Sequence, residues 1–139
     1  MVSGRATLVD TNVLLDVLTQ DPLWGAWSAE RLKDASDAGL LAINPIIYAE
    51  LSAGFTSMEI LDELLGEDFE RWTLPWEAGF LAGQCFKRYR RQGGQRRSPL
   101  PDFYIGAHAM VGGLTLLTRD AARYRSYFPK LPLLSPSFS

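Results

Sequence analysis

Ala6-Thr7-Leu8-Val9-Asp10-Thr11-Asn12-Val13-Leu14-Leu15-Asp16 sets the frame for the whole chain. Residues 6–9 are short, apolar and partly β-branched, whereas residues 13–18 repeat at helical spacing, so the stretch reads as strand, turn and helix, with the turn at Asp10. The same alternation continues downstream. Trp24, Trp27, Leu32 and Ala35 approximate one face of a helix ending near Gly39, and residues 40–43 follow as a second buried strand. Asn44 and Pro45 supply a cap and a first helical position for a helix running to Gly54, and a further helix is expected near residues 58–65. Residues 69–74 read as a third strand. Ala78, Leu81, Cys85 and Tyr89 then recur at helical spacing until Gly93-Gly94. Ser98-Pro99-Leu100-Pro101 ends the loop and starts another helix, in which Ile105, Ala109 and small neighbours pack closely up to Gly112-Gly113. Residues 114–117 form a fourth strand, 119–127 a short helix, and 131–134 an edge strand before a Pro/Ser tail. Strands alternating with helices predict an α/β fold: a mostly parallel central sheet of four to five strands flanked by helices.

Bulk composition agrees with this frame. A chain of 139 residues, 47 % hydrophobic and 22 % charged, has the length and balance of one folded domain over residues 1–139. Cys85 is the only cysteine and cannot form an internal disulfide, and residues 1–5 lead into the first strand without a secretory apolar segment, so a cytoplasmic location is expected. The longest apolar stretch, residues 40–55, is broken by Asn44, Pro45 and Glu50 and falls short of the ~20 apolar residues that a membrane span needs. The net charge of −2 conceals an asymmetry. Lys87, Arg88, Arg90, Arg91, Arg96 and Arg97 fall in an acid-free segment, leaving the rest of the chain strongly acidic. Such a segment suits phosphates held by charge attraction and counterion release, and equally a solvated helix end.

In open parallel sheets, ligands bind beyond the carboxyl ends of the strands, and Asp10 and Asp120 each fall within three residues after an apolar strand candidate. Each also qualifies as a helix cap. Glu50 lies among Ile46, Ile47, Tyr48, Ala49, Leu51, Ala53 and Phe55, a helix with no evident polar face, where a buried carboxylate is costly unless paired or bound to a cation. Asp102 opens a helix of small and apolar residues, where the helix dipole alone would favour it. Together, four acids at element ends would form a pocket whose mutual repulsion a divalent cation relieves. An oxygen-only ligand set suits Mg²⁺ or Mn²⁺, which polarise a phosphoryl oxygen and activate water. His108, the only histidine, sits on a different helical face from Asp102 and reads as a packing residue; no acyl-transfer triad assembles around it or Cys85. Asp16 is turned roughly 240° from Asp10 and reads as a peripheral surface charge.

Leu8-Val9-Asp10-Thr11-Asn12-Val13-Leu14-Leu15-Asp16, Tyr48-Ala49-Glu50-Leu51, Pro101 through Ala109, and Leu116-Leu117-Thr118-Arg119-Asp120 resemble, in the same order, the motifs of PIN-domain nucleases. The likeness covers residues 7–132, and in size the chain is similar to the VapC-type toxins of toxin–antitoxin pairs. That resemblance implies a PIN-like fold and a metal-dependent endoribonuclease. Its acidic site falls on Asp10, Glu50, Asp102 and Asp120, with Asp10 and Asp102 the firmest ligands, and Thr11, Asn12 and Thr118 line or brace it. It also implies an RNA substrate, a small VapB-type antitoxin that covers the toxin's groove, and a homodimer. From the charge pattern, Arg90, Arg91, Arg96 and Arg97 are the candidates for holding RNA backbone.

Three other readings compete. A phosphorylated receiver domain needs an early pair of adjacent acids and a lysine after a late strand. Here Asp10 follows Val9, and Lys130 lies between Pro129 and Leu131. A non-catalytic PIN-like binding module normally lacks one or more of the acids, all of which are present here. A housekeeping RNA-processing nuclease without an antitoxin would share every motif.

Overall fold

The structure, a computed structural model, describes residues 6–136; residues 1–5 and the end of the Pro/Ser tail lie outside the described residues. Five strands form one sheet: β1 (Ala6–Val9), β2 (Leu40–Ile43), β3 (Phe69–Arg71), β4 (Thr115–Leu117) and β5 (Leu133–Leu134). Their order is β3-β2-β1-β4-β5, and every pairing is parallel. Seven helices connect them: α1 (Thr11–Leu18), α2 (Gly25–Ala38), α3 (Pro45–Ser52), α4 (Met58–Leu65), α5 (Trp76–Arg91), α6 (Pro101–Gly112) and α7 (Ala121–Tyr127).

The central strands are mostly apolar and do not alternate with polar residues, because they are covered on both faces. All four residues of β1 are buried, as are Ala42, Ile43, Leu116 and Leu117 beside it. α5 packs on α6, α1 on α2 and α3, and α6 on α3 and α7. Small residues allow the closest approach: a Cβ on Gly106 would overlap the Phe128 ring at the end of α7. α6 then stops at Gly113, whose φ of 65° is the left-handed turn that glycine adopts without steric cost.

The edge strands are shorter than the sequence pattern predicts. β3 ends at Arg71, not at residue 74. Its partner β2 ends at Ile43, whose carbonyl takes the Trp72 amide at 3.0 Å, and Pro75 then opens α5. β5 keeps only Leu133 and Leu134 of the expected 131–134, since Pro132 has no amide to donate, although its carbonyl accepts from Leu116 at 3.0 Å. Among the described residues no helix is long and apolar enough to cross a membrane.

The strand order reverses between β1 and β4. Connections leave the carboxyl ends of these neighbouring strands in opposite directions, opening a crevice at the switch point. Asp10 follows β1 and Thr118 follows β4, one on each side of that crevice.

Candidate active site

Asp10 lies at the centre. Its carboxylate caps α1 by accepting from the Thr11 amide at 2.8 Å, so the capping role open to it in the sequence is real. The other oxygen looks across the crevice, accepting from the Thr118 hydroxyl at 2.8 Å and the Tyr124 hydroxyl at 3.0 Å. With only 4 % of its surface exposed, Asp10 is held well above the usual carboxylate range, at about 6. Burial is the main cause, the hydrogen bond from Thr118 opposes it, and the neighbouring charge of Asp102 adds to the rise.

Tyr124 links that acid to a second one. Its hydroxyl, from the fully buried face of α7, lies 3.0 Å from Asp10 and 3.3 Å from Asp102. A phenol has one proton, so the two carboxylates share one donor. Burial and both acids push the phenol far above its ordinary value and keep it protonated. Asp102, in the first turn of α6, also receives an ion pair from Arg123 at 2.7 Å.

Glu50 enters from α3 through a bridge: the Thr11 hydroxyl donates to its carboxylate at 2.7 Å. The expectation that α3 lacks a polar face is corrected. Pro45 and Ala49 are exposed and Glu50 is only half-buried, because Ile47 and Leu51 carry the burial of this short helix. Asp120 stands at the N-terminus of α7, exposed, and caps nothing; its own amide donates to Thr118 Oγ1 at 3.1 Å. Among the described residues no three acid, histidine or cysteine side chains converge into a ready-made metal cage. The tight four-acid cluster expected from sequence is therefore an Asp10–Asp102 pair, with Glu50 one hydroxyl away and Asp120 on the rim.

The bracing residues form a lattice around Asp10. Asn12 donates from its amide to Thr118 Oγ1 at 3.3 Å and accepts from the Arg119 backbone at 3.2 Å, tying α1 to the end of β4. Arg119 continues the tie, clamping Asp16 through two bonds of 2.6 and 2.9 Å, while Ser28 donates to the same carboxylate at 2.6 Å and the Trp24 ring lies under the guanidinium. Asp16 is thus 3 % exposed and not a surface charge. The helical turn does carry it away from Asp10, but onto the side facing α2 and Arg119, where both of its oxygens are satisfied. His108 is buried, with Nδ1 accepting from the Asn44 amide at 3.0 Å, and burial lowers its pKa, so it stays neutral and apart from the acids.

Arg90, Arg91, Arg96 and Arg97 are exposed at the end of α5 and in the loop beyond it. That end is anchored near Asp102: Tyr89 meets the ring of Phe103, the next residue, edge-on at 5.8 Å between centroids. Within the segment, Arg88 donates to the Ser126 carbonyl and lies over Tyr127, and Arg90 donates to the Arg96 carbonyl. Those two are partly committed to holding the loop.

The sequence reasoning overlooked Arg123 and Tyr124. The available signal was spacing, since they follow Asp120 by three and four residues and so sit one turn along the same helix.

Known proteins share this fold. No curated protein matches the chain. Among solved structures, it is similar to VapBC2 from Rickettsia felis, solved bound to a promoter DNA fragment, with 20 % identity, 95 % of this chain and 99 % of that one covered, and a TM-score of 0.73. It is similar to VapBC-1 from nontypeable Haemophilus influenzae at 21 % identity, covering 94 % and 97 %, with a TM-score of 0.70. Likeness to the PIN domain endonuclease Utp24 is weaker, at 18 % identity, 96 % and 86 % coverage and a TM-score of 0.52. At such identities these likenesses are ones of fold. The family model for the PIN domain matches residues 7–128, nearly the whole described chain, and the protein belongs to the PIN domain family.

Proposed function

We propose that the chain is a Mg²⁺- or Mn²⁺-dependent endoribonuclease that hydrolyses RNA phosphodiester bonds, and that it is the toxin of a toxin–antitoxin pair. The observation that carries the nuclease reading is the pairing of the buried Asp10 with the partly exposed Asp102 at the switch-point crevice, with one phenol proton between them. Two neighbouring carboxylates that are balanced by one guanidinium, the half-exposed Arg123, carry an excess of negative charge, and their ligand atoms are all oxygen, which fits a hard divalent cation. Asp10 and Asp102 would hold the ion, with Glu50 and Asp120 as further ligands on the open side. The bound ion would polarise a phosphoryl oxygen and lower the pKa of water.

The chain's own residues do the positioning. Thr118 and Tyr124 fix the rotamer of Asp10, and Asn12 holds Thr118 in place. Thr11 aims Glu50. The exposed Arg90, Arg91, Arg96 and Arg97 hold RNA backbone by charge and release of counterions.

Family membership together with likeness to VapBC structures supports the toxin reading and a VapB-type antitoxin partner; a homodimer in a cytoplasmic setting completes the proposal and rests on the sequence alone. The runner-up, a housekeeping RNA-processing nuclease, has the likeness to Utp24 in its favour. Sequencing the 5′ ends of cellular RNA after expression of the wild type and of Asp102→Asn, each with and without the neighbouring gene, tests both. New 5′ ends made only by the wild type, and suppressed by the neighbouring gene, support the proposal. Cleavage that the neighbouring gene leaves unchanged favours the housekeeping reading, and identical ends from both variants overturn the nuclease reading.

A further inference from the structure

Both oxygens of Asp102 are already engaged. Oδ1 faces the Tyr124 hydroxyl at 3.3 Å, and Oδ2 is held by Arg123 Nη1 at 2.7 Å. The two partners are consecutive residues of α7, but their surroundings differ. Tyr124 is locked in the core at 1 % exposure, whereas half of the Arg123 side chain is open to solvent, against about a quarter of Asp102. A guanidinium in that position has somewhere to go. Arg123 makes no other ion pair among the described residues, and its near neighbours Asp120 and Arg125 do not bond to it.

We propose that Arg123 is a counter-cation built into the chain: it neutralises Asp102 while no metal is bound, and it competes with the divalent ion for that carboxylate. This inference rests on the metal-dependent reading above. A positive charge at hydrogen-bond distance from a ligand oxygen both occupies its lone pairs and repels a second cation, so an incoming ion has to displace the guanidinium into solvent. α7 thereby sets how tightly the site binds metal. Arg123 lowers affinity through its charge, and Tyr124, being neutral, does not. In this scheme Arg123 is a positioning residue that acts through Asp102.

The test is calorimetric titration of Mn²⁺ into the metal-stripped full chain, comparing the wild type with Arg123→Gln, Arg123→Lys, Arg125→Gln and Asp102→Asn, with each fold checked by melting in EDTA. Arg125 lies two positions on, about 200° around the helix, and among the described residues donates to Ser135 and not to an acid, so it controls for net charge. Arg123→Gln should bind Mn²⁺ roughly three- to fivefold more tightly than the wild type, the upper end of the scale of a half-exposed ion pair. Arg123→Lys should stay near the wild type, Arg125→Gln within about twofold of it, and Asp102→Asn should bind more weakly. Unchanged or weaker binding by Arg123→Gln, or equal tightening by Arg125→Gln, overturns the role of Arg123 while leaving the metal site intact. If the wild type takes up no Mn²⁺, or Asp102→Asn titrates like the wild type, the metal reading itself fails and the inference falls with it.

Discussion

Asp10 makes the metal-free fold sensitive to pH in a direction opposite to most paired carboxylates. Its pKa rises from an ordinary 3.8 to about 6 on folding, chiefly through burial, with the charge of Asp102 contributing. Below the unfolded value both states are protonated and the fold carries no penalty. Above about 6 the folded protein must keep a buried charge, and the full cost is the rise itself, about 3 kcal/mol at 1.36 kcal/mol for each pKa unit. The metal-free protein therefore loses stability as pH climbs through this window. Other groups titrate there too, so the clean measure is a difference between wild type and Asp10→Asn. Asn has the shape of Asp but no titrating charge, and its mismatch with the two donors Thr118 and Tyr124 is a constant offset at every pH. Denaturant unfolding of both proteins in EDTA at pH 4 and pH 7.5 should show the wild type losing about 2 kcal/mol relative to Asp10→Asn, most of the full shift. A difference that stays constant with pH, or one in which the wild type gains, would refute the claim that Asp10 is a strained, desolvated carboxylate.

Two further outcomes follow from the geometry. Asp16→Ala leaves Arg119 and Ser28 without their partner in a largely buried cluster and should cost about 3 kcal/mol in denaturant unfolding; a loss below about 1 kcal/mol would mean the pair behaves like a surface one. Charge reversal at Arg90, Arg91, Arg96 and Arg97 should weaken single-stranded RNA binding across sequences and flatten the slope of log affinity against log salt by about 0.7 for each phosphate no longer neutralised, and an unchanged slope would make the segment a solvated helix end.

What the sequence disclosed, and what it withheld, follows from the range of the interactions. Asp10 was legible because it follows the mostly apolar β1, and apolar runs of that kind mark buried parallel strands whatever their neighbours, whereas Thr118 was identified by its place in a motif. The Asn44-Pro45 start of α3 was legible because its hydrogen bond, to the Ile47 amide, is local. Asp16 was misread because its partner Arg119 is 103 positions away, and helical phase alone says where a side chain points and not what waits there. Glu50 was read as more buried than it is, since an apolar helix lying partly at the surface has the same composition as one fully enclosed. Asp102 was identified by its place in a motif, but the phenol and guanidinium that engage it come from α7, whose register against α6 depends on Gly106 receiving the Phe128 ring. The sheet edges were overestimated for a simpler reason: hydrophobic pattern continues past the point where a proline or an exhausted partner strand ends the ladder.

The central claim is that the acid pair does divalent-metal chemistry on RNA, and cleavage of a labelled single-stranded RNA by the purified chain tests it most directly. The wild type should cut in Mg²⁺ or Mn²⁺ and stop in EDTA, and Asp102→Asn, which keeps the shape of Asp102 but removes its charge, should fall by at least about 100-fold in Mg²⁺. Undiminished cleavage by the wild type in EDTA, or equal cleavage by Asp102→Asn in Mg²⁺, would contradict it.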